Sequence, residues 1–210
     1  MSVTFRMLDK KDYNKAIGFA VKGMHFGIYF NSDFLTNAYG KYFLYSEMNK
    51  ATQSIAAYDG DTLIGLLISR VNDEERCFHS FRQKLYVNVI DFIQKLFFKG
   101  SAGEYDTACR QMLAEYKKSH TPDGEIIFLA ADPESKIKGI GTALLNEYEK
   151  REHNKLIYLY TDDQCTYQFY EHRGFERVCE KDIVLNLKDK VNLKCMLYCK
   201  KIGSYKEELQ

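Results

Sequence analysis

The sequence has 210 residues, of which 45% are hydrophobic and 28% are charged, a length and composition that suit one domain with a substantial core. Its 30 basic and 29 acidic residues are nearly balanced, which gives no electrostatic reason to expect a nucleic acid or an anionic membrane as partner. The sequence shows neither a signal-peptide pattern nor an apolar run long enough to span a membrane. We therefore expect a cytoplasmic protein.

The cysteines and histidines give no pattern of a metal site. The six cysteines form no C-x-x-C pair, and the five histidines form no H-x-x-x-H pair. We therefore expect reduced thiols that pack in the interior, and no bound metal.

The first part of the chain predicts a strand, two helices and a hairpin. The strand is expected over residues 3–8, the first helix begins after Asp12, and the second helix covers residues 34–48. An Asp-Gly pair at residues 59–60 then separates two apolar runs, which is typical of a β-hairpin turn.

Residues 71–124 separate the third and fourth predicted strands. This segment carries two apolar stripes at helical spacing around a glycine-containing turn at residues 99–103, which predicts an inserted helical hairpin. The first stripe consists of Leu85, Val89, Phe92, Ile93, Leu96 and Phe97, and the second of Ala108, Cys109, Met112, Leu113 and Tyr116. The insertion is interpreted either as packing against the domain or a partner subunit, or as a wall for a substrate.

A strand, a turn and a helix start follow one another after the insertion. The apolar run over residues 125–131 stops at Asp132-Pro133, and a basic turn with two glycines leads into a helix near Gly139. A helix start exposes about four unpaired N–H groups and a partial positive charge, so it attracts phosphate. We expect the absence of Cβ atoms at Gly139 and Gly141 to let a ligand approach those groups. The segment therefore predicts a phosphate-binding turn.

Two common phosphate-binding motifs do not match this turn. A P-loop requires lysine where Thr142 stands, and a dinucleotide-binding fingerprint requires a third glycine where Leu144 stands. The remaining elements are a strand over residues 155–161, a helix over 164–172 that ends at Gly174, and strands over 178–187 and 194–202.

The turn resembles the acetyl-CoA-binding signature of the GNAT acetyltransferase superfamily, [QR]-x-x-G-x-[GA] after a strand. Lys136 stands where that signature has glutamine or arginine, and Gly139 and Gly141 match its glycines. The resemblance implies an α/β GNAT (acyl-CoA N-acyltransferase) fold with a mixed, mostly antiparallel sheet of six to seven strands flanked by helices. It also implies a single domain over residues 1–210 with the insertion at about 71–124.

The resemblance assigns a binding site for acetyl-CoA. The backbones of Leu129, Ala130 and Ala131 are expected to bind the pantetheine arm, and the turn is expected to bind the diphosphate. The residues of the turn are Lys136, Ile137, Lys138, Gly139, Ile140, Gly141 and Thr142. Asp163 stands where the family often has an asparagine that contacts the arm.

The resemblance also assigns the proton transfers of the reaction. Tyr170 lies in a segment similar to the Y-E-x-x-G-F ending of the family's second signature, where the tyrosine protonates the coenzyme thiolate. Glu125 begins the fourth strand fourteen residues before Gly139, as the catalytic glutamate does in the histone-acetylating branch. Asp162, Asp163 or an ordered water chain are alternatives to Glu125 as the base.

These features predict an acetyl-CoA-dependent N-acetyltransferase that moves the acetyl group directly to a primary amine of a small molecule or peptide. Cys165 has no histidine nearby in the sequence to activate it, which favours direct transfer over an acyl-enzyme. The alternatives are a non-catalytic CoA-binding or assembly module, and an acyltransferase for longer thioesters. A homodimer is compatible with the amphipathic insertion.

Overall fold

The computed structural model describes residues 3–28, 30, 32–97, 102–186 and 190–203. Over these residues the strands are β1 (Val3–Arg6), β2 (Gln53–Asp59), β3 (Thr62–Val71), β4 (Gly124–Ala131), β5 (Leu156–Asp162), β6 (Glu176–Asn186) and β7 (Lys190–Lys201). The helices are α1 (Tyr13–Gly23), α2 (Asp33–Lys50), α3 (Phe81–Phe97), α4 (Ala102–Tyr116), α5 (Ile140–Arg151) and α6 (Gln168–Glu171).

All the strands belong to one sheet in the order β1-β2-β3-β4-β5-β7-β6. The β4–β5 pair is parallel, and the other neighbouring pairs are antiparallel. A crossover through α5 makes the parallel pair possible, since parallel neighbours cannot be joined by a tight turn. The predicted fold class, a mixed and mostly antiparallel sheet with flanking helices, is confirmed.

The two parallel strands separate soon after they meet. Their register pairs are Gly124 with Ile157 and Glu125 with Tyr158. Beyond this point β4 stays paired with β3 as far as Ala131, and β5 stays paired with β7 as far as Asp162. A wedge with unpaired strand edges therefore opens between β4 and β5 within the described part of the sheet.

Helix α5 is fixed against the sheet by its apolar face. Ile140, Leu144, Leu145 and Tyr148 recur at helical spacing and are buried against residues of β2, β3 and β5. Each buried side chain of this size contributes about 1.5–3 kcal/mol, so the start of α5 has a defined position beside the wedge. Helices α1 and α2 cover the opposite face of β2 and β3, and α4 covers β6 and β7.

The helix predicted over residues 164–172 is shorter in the structure. Its first part forms turns instead, because the Asp162 carboxylate accepts a hydrogen bond from Gln164 N at 3.0 Å and the Asp162 carbonyl accepts one from Cys165 N at 3.1 Å. Only Gln168–Glu171 is helical. The predicted end at Gly174 is observed, since this glycine has φ of +76° and donates to the Glu171 carbonyl at 3.1 Å.

The inserted helices α3 and α4 pack on different parts of the domain. Helix α3 packs on α2, where Tyr42 donates to Asp91 at 2.6 Å, while α4 packs on β6 and β7. The predicted turn at residues 99–103 overlaps residues 98–101, which lie outside the described residues, so the hairpin stays a prediction. Leu85, Val89 and Phe92 of the predicted stripe are 51%, 48% and 63% exposed. Among the described helices, none combines the length and the apolar character that a membrane span requires.

Candidate active site

The turn before α5 presents a row of unpaired backbone donors. Gly139 is the N-cap of α5 with φ of +75°, and its carbonyl accepts the first helical hydrogen bond from Ala143 N at 2.9 Å. The N–H groups of residues 138–142 have no acceptor among the described residues. Ile137 differs from the prediction, because its N–H donates to Ser135 Oγ at 3.2 Å. The remaining donors, at a helix start, form the anion-binding geometry that the sequence suggested.

The two glycines of the turn serve different purposes. A Cβ atom at Gly139 would meet no atom within 4 Å, so this position requires glycine for its left-handed backbone. A Cβ atom at Gly141 would lie 3.2 Å from the Phe169 ring, so this position requires glycine for the contact with α6. The bare backbone at Gly139 therefore adjoins open space, while that at Gly141 adjoins the Phe169 ring, and the access that both glycines give a ligand stays a prediction.

The acidic residues of the turn are paired with lysines of α1. Lys15 lies 2.9 Å from Asp132, and Lys22 lies 2.7 Å from Glu134. Although burial acts in the other direction, the hydrogen bond from Lys15 lowers the pKa of Asp132. Lys136 and Lys138 are exposed and form no ion pair within the part of the chain that the structure describes. The turn therefore keeps a net positive potential for a phosphate group.

Leu129, Ala130 and Ala131 lie on the β4 edge of the wedge, as the resemblance implies. Each pairs with β3 on one side and has no strand partner on the β5 side among the described residues. A Cβ atom on Gly23 would lie 3.7 Å from Ala130 Cβ, so the small side chain of Ala130 also lets the end of α1 approach the sheet.

Tyr170 lies on α6, with its side chain half-buried and its hydroxyl without a hydrogen-bond partner among the described residues. The ring centroid lies 5.2 Å from that of Phe169, 5.8 Å from that of Phe175 and 6.4 Å from that of Tyr198. The hydroxyl makes no hydrogen bond to any described residue. Burial, and to a lesser extent the neighbouring Cys165, raises the pKa of Tyr170. The hydroxyl therefore keeps its proton at neutral pH and is available to a ligand.

Arg173 connects α6 to α5, a role that the sequence did not indicate. Its Nε donates to Thr142 Oγ1 at 3.2 Å, its Nη2 donates to the same oxygen, and its Nη1 donates to the Phe169 carbonyl at 2.8 Å. The guanidinium also lies 3.7 Å from the centroid of the Phe169 ring. Arg173 therefore sets the distance between the helix that carries Tyr170 and the first turn of α5.

Glu125 is the last residue of β4 that pairs with β5, so it lies where the wedge closes. Its Oε2 accepts hydrogen bonds from Arg70 Nη2 at 2.9 Å and from Tyr158 Oη at 3.1 Å. Burial raises the pKa of Glu125, and the positive charge of Arg70 opposes this effect without cancelling it. A carboxylate with a raised pKa is a stronger base than an exposed one.

The two aspartates at the end of β5, Asp162 and Asp163, accept hydrogen bonds from backbone N–H groups. Asp163 Oδ1 accepts a hydrogen bond from Lys194 N of β7 at 3.1 Å, and Asp163 N donates to the Lys194 carbonyl at 3.2 Å. Asp162 Oδ1 holds Gln164 N. These bonds explain the conformation of the loop, and of the three carboxylates only Glu125 has no backbone partner among the described residues. The expected contact of Asp163 with the coenzyme arm stays a prediction.

Cys165 lies close to Tyr170 but is a poor nucleophile. Its Sγ lies 3.9 Å from the Gly23 carbonyl, and burial followed by the nearby Asp162 raises the pKa of this thiol to about 12. The thiol therefore stays protonated at neutral pH. The described residues contain no group of three or more side chains suited to hold a metal ion.

The residues present fit coenzyme A. The free amides of residues 138–142 and the nearby lysines suit its diphosphate, and the unpaired edges of the wedge suit an extended arm with amide groups. Glu125 lies where the wedge closes, and Tyr170 lies on α6 after β5.

The comparisons with known proteins concern the family and the fold of the chain. The chain matches the sequence model of the Acetyltransferase (GNAT) family over residues 24–175. No curated protein matches the chain. Among solved structures, the chain is similar to a histone acetyltransferase HPA2 and related acetyltransferase from Corynebacterium glutamicum, with a TM-score of 0.57, 16% identity and coverage of 99% of each chain.

Two further structures share the fold. The ribosomal-protein-S18-alanine N-acetyltransferase from Escherichia coli gives a TM-score of 0.54 at 14% identity, covering 100% of this chain and 99% of that chain. The PaiA N-acetyltransferase from Thermoplasma acidophilum in complex with coenzyme A gives a TM-score of 0.51 at 19% identity, covering 96% of this chain and 99% of that chain. The match to the family model confirms the expected family, the acyltransferase activity and the use of acetyl-CoA. The chain belongs to the GNAT acetyltransferase family.

Proposed function

We propose that residues 1–210 form a single GNAT domain that transfers an acetyl group from acetyl-CoA directly to a primary amine of a small molecule or peptide. Tyr170 is the proposed acid and Glu125 the proposed base. The observation that carries the proposal is the row of unpaired amides at residues 138–142, which lies beside a wedge with free strand edges.

The amides of the turn are proposed to bind the diphosphate and to orient the arm of the coenzyme along β4. The backbones of Leu129, Ala130 and Ala131 lie along that path, and Lys136 and Lys138 add positive charge at its outer end. This arrangement holds the thioester end between Glu125 and Tyr170, and no covalent bond to the protein is needed.

Bound acetyl-CoA supplies the acetyl thioester. The Glu125 carboxylate takes a proton from the ammonium group of the acceptor, and the neutral amine nitrogen then bonds to the acetyl carbon. The nitrogen releases its second proton to solvent as the carbon–sulfur bond breaks. Tyr170 Oη provides the proton for the departing sulfur. The products are the acetylated amine and the free thiol of the coenzyme, and Tyr170 and Glu125 return to their starting protonation through solvent.

The acceptor is proposed to approach Glu125 from the face of the sheet that lies between α2 and α4. Glu47 of α2 and Cys109 of α4 both interact electrostatically with Glu125. Asp106 of α4 acts in the same way on Tyr39 of α2, so carboxylates are present on both sides of this approach. Lys50 lies 2.9 Å from Glu47, and Lys50 and Lys117 also act on Glu125, so the charges around this approach are mixed and the acceptor is identified by the assay.

A turnover assay tests the proposal. Acetyl-CoA is incubated with the protein and a panel of monoamines, diamines and short peptides with free N-termini or lysines, and acetylated products are detected by mass spectrometry. We expect acetylation of at least one cationic amine and a large loss of turnover in Tyr170→Phe.

Two other outcomes of these measurements would favour the alternative functions. Binding of coenzyme A without turnover of any amine would instead favour a non-catalytic CoA-binding module. Faster turnover with a longer acyl thioester than with acetyl-CoA would indicate a different donor. A homodimer, with which the amphipathic insertion is compatible, is tested by sedimentation analysis.

A further inference from the structure

Three side chains from neighbouring strands meet where the wedge closes. Arg70 of β3, Glu125 of β4 and Tyr158 of β5 stand in one row across the sheet, because Arg70 pairs in register with Glu125 and Glu125 pairs in register with Tyr158. Cross-strand neighbours in one row have side chains close enough to interact directly. This row is the last one before β4 and β5 separate.

The three side chains form a closed triangle on one carboxylate oxygen. Arg70 Nη2 donates to Glu125 Oε2 at 2.9 Å and to Tyr158 Oη at 3.4 Å, and Tyr158 Oη donates to the same Glu125 oxygen at 3.1 Å. Glu125 Oε1 makes no hydrogen bond to a described residue. One oxygen is therefore held from two directions while the other keeps its lone pairs.

We propose that Arg70 and Tyr158 are positioning residues that hold Glu125 Oε2 so that Oε1 faces the acceptor amine. This inference rests on the proposed role of Glu125 as the base. A glutamate side chain has rotatable bonds that would otherwise let the carboxylate turn away, and a misplacement of about 1 Å at a reacting group lowers the rate by about 100-fold. Because the three residues lie on neighbouring, paired strands, their contacts restrict rotation of the Glu125 carboxylate.

The same contacts oppose the effect of burial on the carboxylate. Burial raises the pKa of Glu125, whereas the charge of Arg70 and the hydrogen bond from Tyr158 lower it. Other titratable groups also face the carboxylate from the packed elements. They are Glu47 and Lys50 of α2, Cys109 of α4, Tyr160 of β5, and Lys117 just after α4. Among the described residues, only Arg70 and Tyr158 form hydrogen bonds with the Glu125 carboxylate.

The variants Arg70→Gln and Tyr158→Phe test the inference through the titration of Glu125. The carboxyl carbon of Glu125 is followed by carbon NMR over a pH series, and its signal is assigned by its loss in Glu125→Gln. Removing the positive charge or the donated hydrogen bond disfavours the carboxylate, so the titration midpoint moves to higher pH in both variants. This readout requires no knowledge of the acceptor.

The kinetics give the second readout, with an amine that the panel identifies. We expect kcat to fall about 10- to 100-fold in Arg70→Gln and Tyr158→Phe, and the acidic limb of the kcat/KM profile to move to higher pH. Arg70→Lys restores the position of the acidic limb through its charge, but restores kcat only partly because lysine lacks the planar fork. Coenzyme A affinity, measured by calorimetry, stays that of the wild type.

Two matched controls remove similar groups elsewhere. Arg151→Gln breaks an arginine–glutamate pair on α5 with an N–O distance of 2.8 Å, and Tyr45→Phe removes a hydroxyl that has no hydrogen bond among the described residues. Both controls should leave the Glu125 titration and the acidic limb unchanged.

The outcomes separate this inference from the proposed function. If Glu125→Gln keeps wild-type turnover, Glu125 is not the base and the proposed function fails at that residue. If Glu125→Gln loses turnover while the Glu125 titration and kcat stay unchanged in Arg70→Gln and Tyr158→Phe, the positioning inference alone is overturned. Should Arg70→Gln not fold, Tyr158→Phe decides the question, because it keeps the buried ring.

Discussion

Gly65 of β3 lies directly beneath Ile140, the first residue of α5. A Cβ atom at position 65 would lie 2.6 Å from Ile140 Cγ2, 3.0 Å from Leu144 Cδ1 and 3.2 Å from the Ala130 carbonyl. The bare backbone of Gly65 therefore lets the start of α5 lie close to the sheet. Since the proposed diphosphate site is built from that helix start, the position of the site depends on a residue far away in the sequence.

We expect Gly65→Ala to lower both stability and coenzyme affinity. The added methyl group must push α5 away from β3, and overpacking of this kind costs about 1–3 kcal/mol. Chemical denaturation measures the free energy of unfolding, and calorimetry measures coenzyme A binding. Gly18→Ala in α1 is the matched control, because its Cβ meets no atom within 4 Å, and it should be neutral or stabilising by about 0.5–1 kcal/mol. Wild-type coenzyme affinity in Gly65→Ala would contradict this account.

Gly139 should be sensitive to backbone conformation rather than to size. Its φ is +75° and a Cβ atom would meet nothing within 4 Å, so Gly139→Ala loses about 1–2 kcal/mol through the left-handed backbone alone. Gly139→Asn should retain more stability than Gly139→Ala, because asparagine tolerates this region better. Denaturation curves of the two variants compare them, and an equal loss in both would show that space rather than φ is limiting.

Tyr170→Phe should lower kcat by roughly 100- to 10,000-fold and leave folding unchanged. The ring contacts with Phe169, Phe175 and Tyr198 remain, and the hydroxyl has no hydrogen bond among the described residues to lose. Because burial raises the pKa of Tyr170 above its ordinary value of 10.0, the wild type should show no loss of turnover from Tyr170 ionisation up to about pH 9. Full turnover in Tyr170→Phe, measured by thiol release, would remove this tyrosine from the mechanism.

Arg173→Lys should loosen the link between α6 and α5 although it keeps the charge. Lysine cannot contact Thr142 Oγ1 and the Phe169 carbonyl together, so both the melting temperature and the coenzyme affinity should fall. For a chain of this length, each lost kcal/mol lowers the melting temperature by about 2–4 °C. Arg151→Lys on the exposed face of α5 is the control, and equal effects of the two changes would argue against a specific link.

Cys165→Ala should keep turnover, because the proposed direct transfer does not use the thiol. Burial and the nearby Asp162 raise its pKa to about 12, so little thiolate exists at neutral pH. Intact-mass measurement after brief exposure to acetyl-CoA should detect no acetylated protein. An acetyl adduct that is absent in Cys165→Ala would contradict direct transfer.

The sequence predicted the parts of this fold that depend on local pattern. The strand, turn and helix around Gly139 were predictable because strand termination, glycine spacing and helical periodicity are all local features. The cap at Gly174 and the hairpin at Gly60 are of the same kind, with φ of +76° and +58°. The family resemblance depended on these same segments.

The sequence did not predict relationships that depend on strand register. Arg70 and Tyr158 lie 55 and 33 residues from Glu125, and only the pairing of three strands brings them together. The periodicity of α3 predicted a helix but not its packing, since Leu85 and Phe92 of the apolar stripe are exposed while Val87 is buried. Helix α6 is shorter than predicted because the Asp162 carboxylate accepts a hydrogen bond from a backbone N–H group that a longer helix would include.

The most direct test of the central claim is amide NMR of the nitrogen-labelled protein during titration with coenzyme A. The account predicts that the N–H signals of residues 138–142 shift strongly with coenzyme A and stay in place with pantetheine, which lacks the diphosphate. Signals of these residues that stay unchanged while the coenzyme binds elsewhere, or that respond equally to pantetheine, would contradict it.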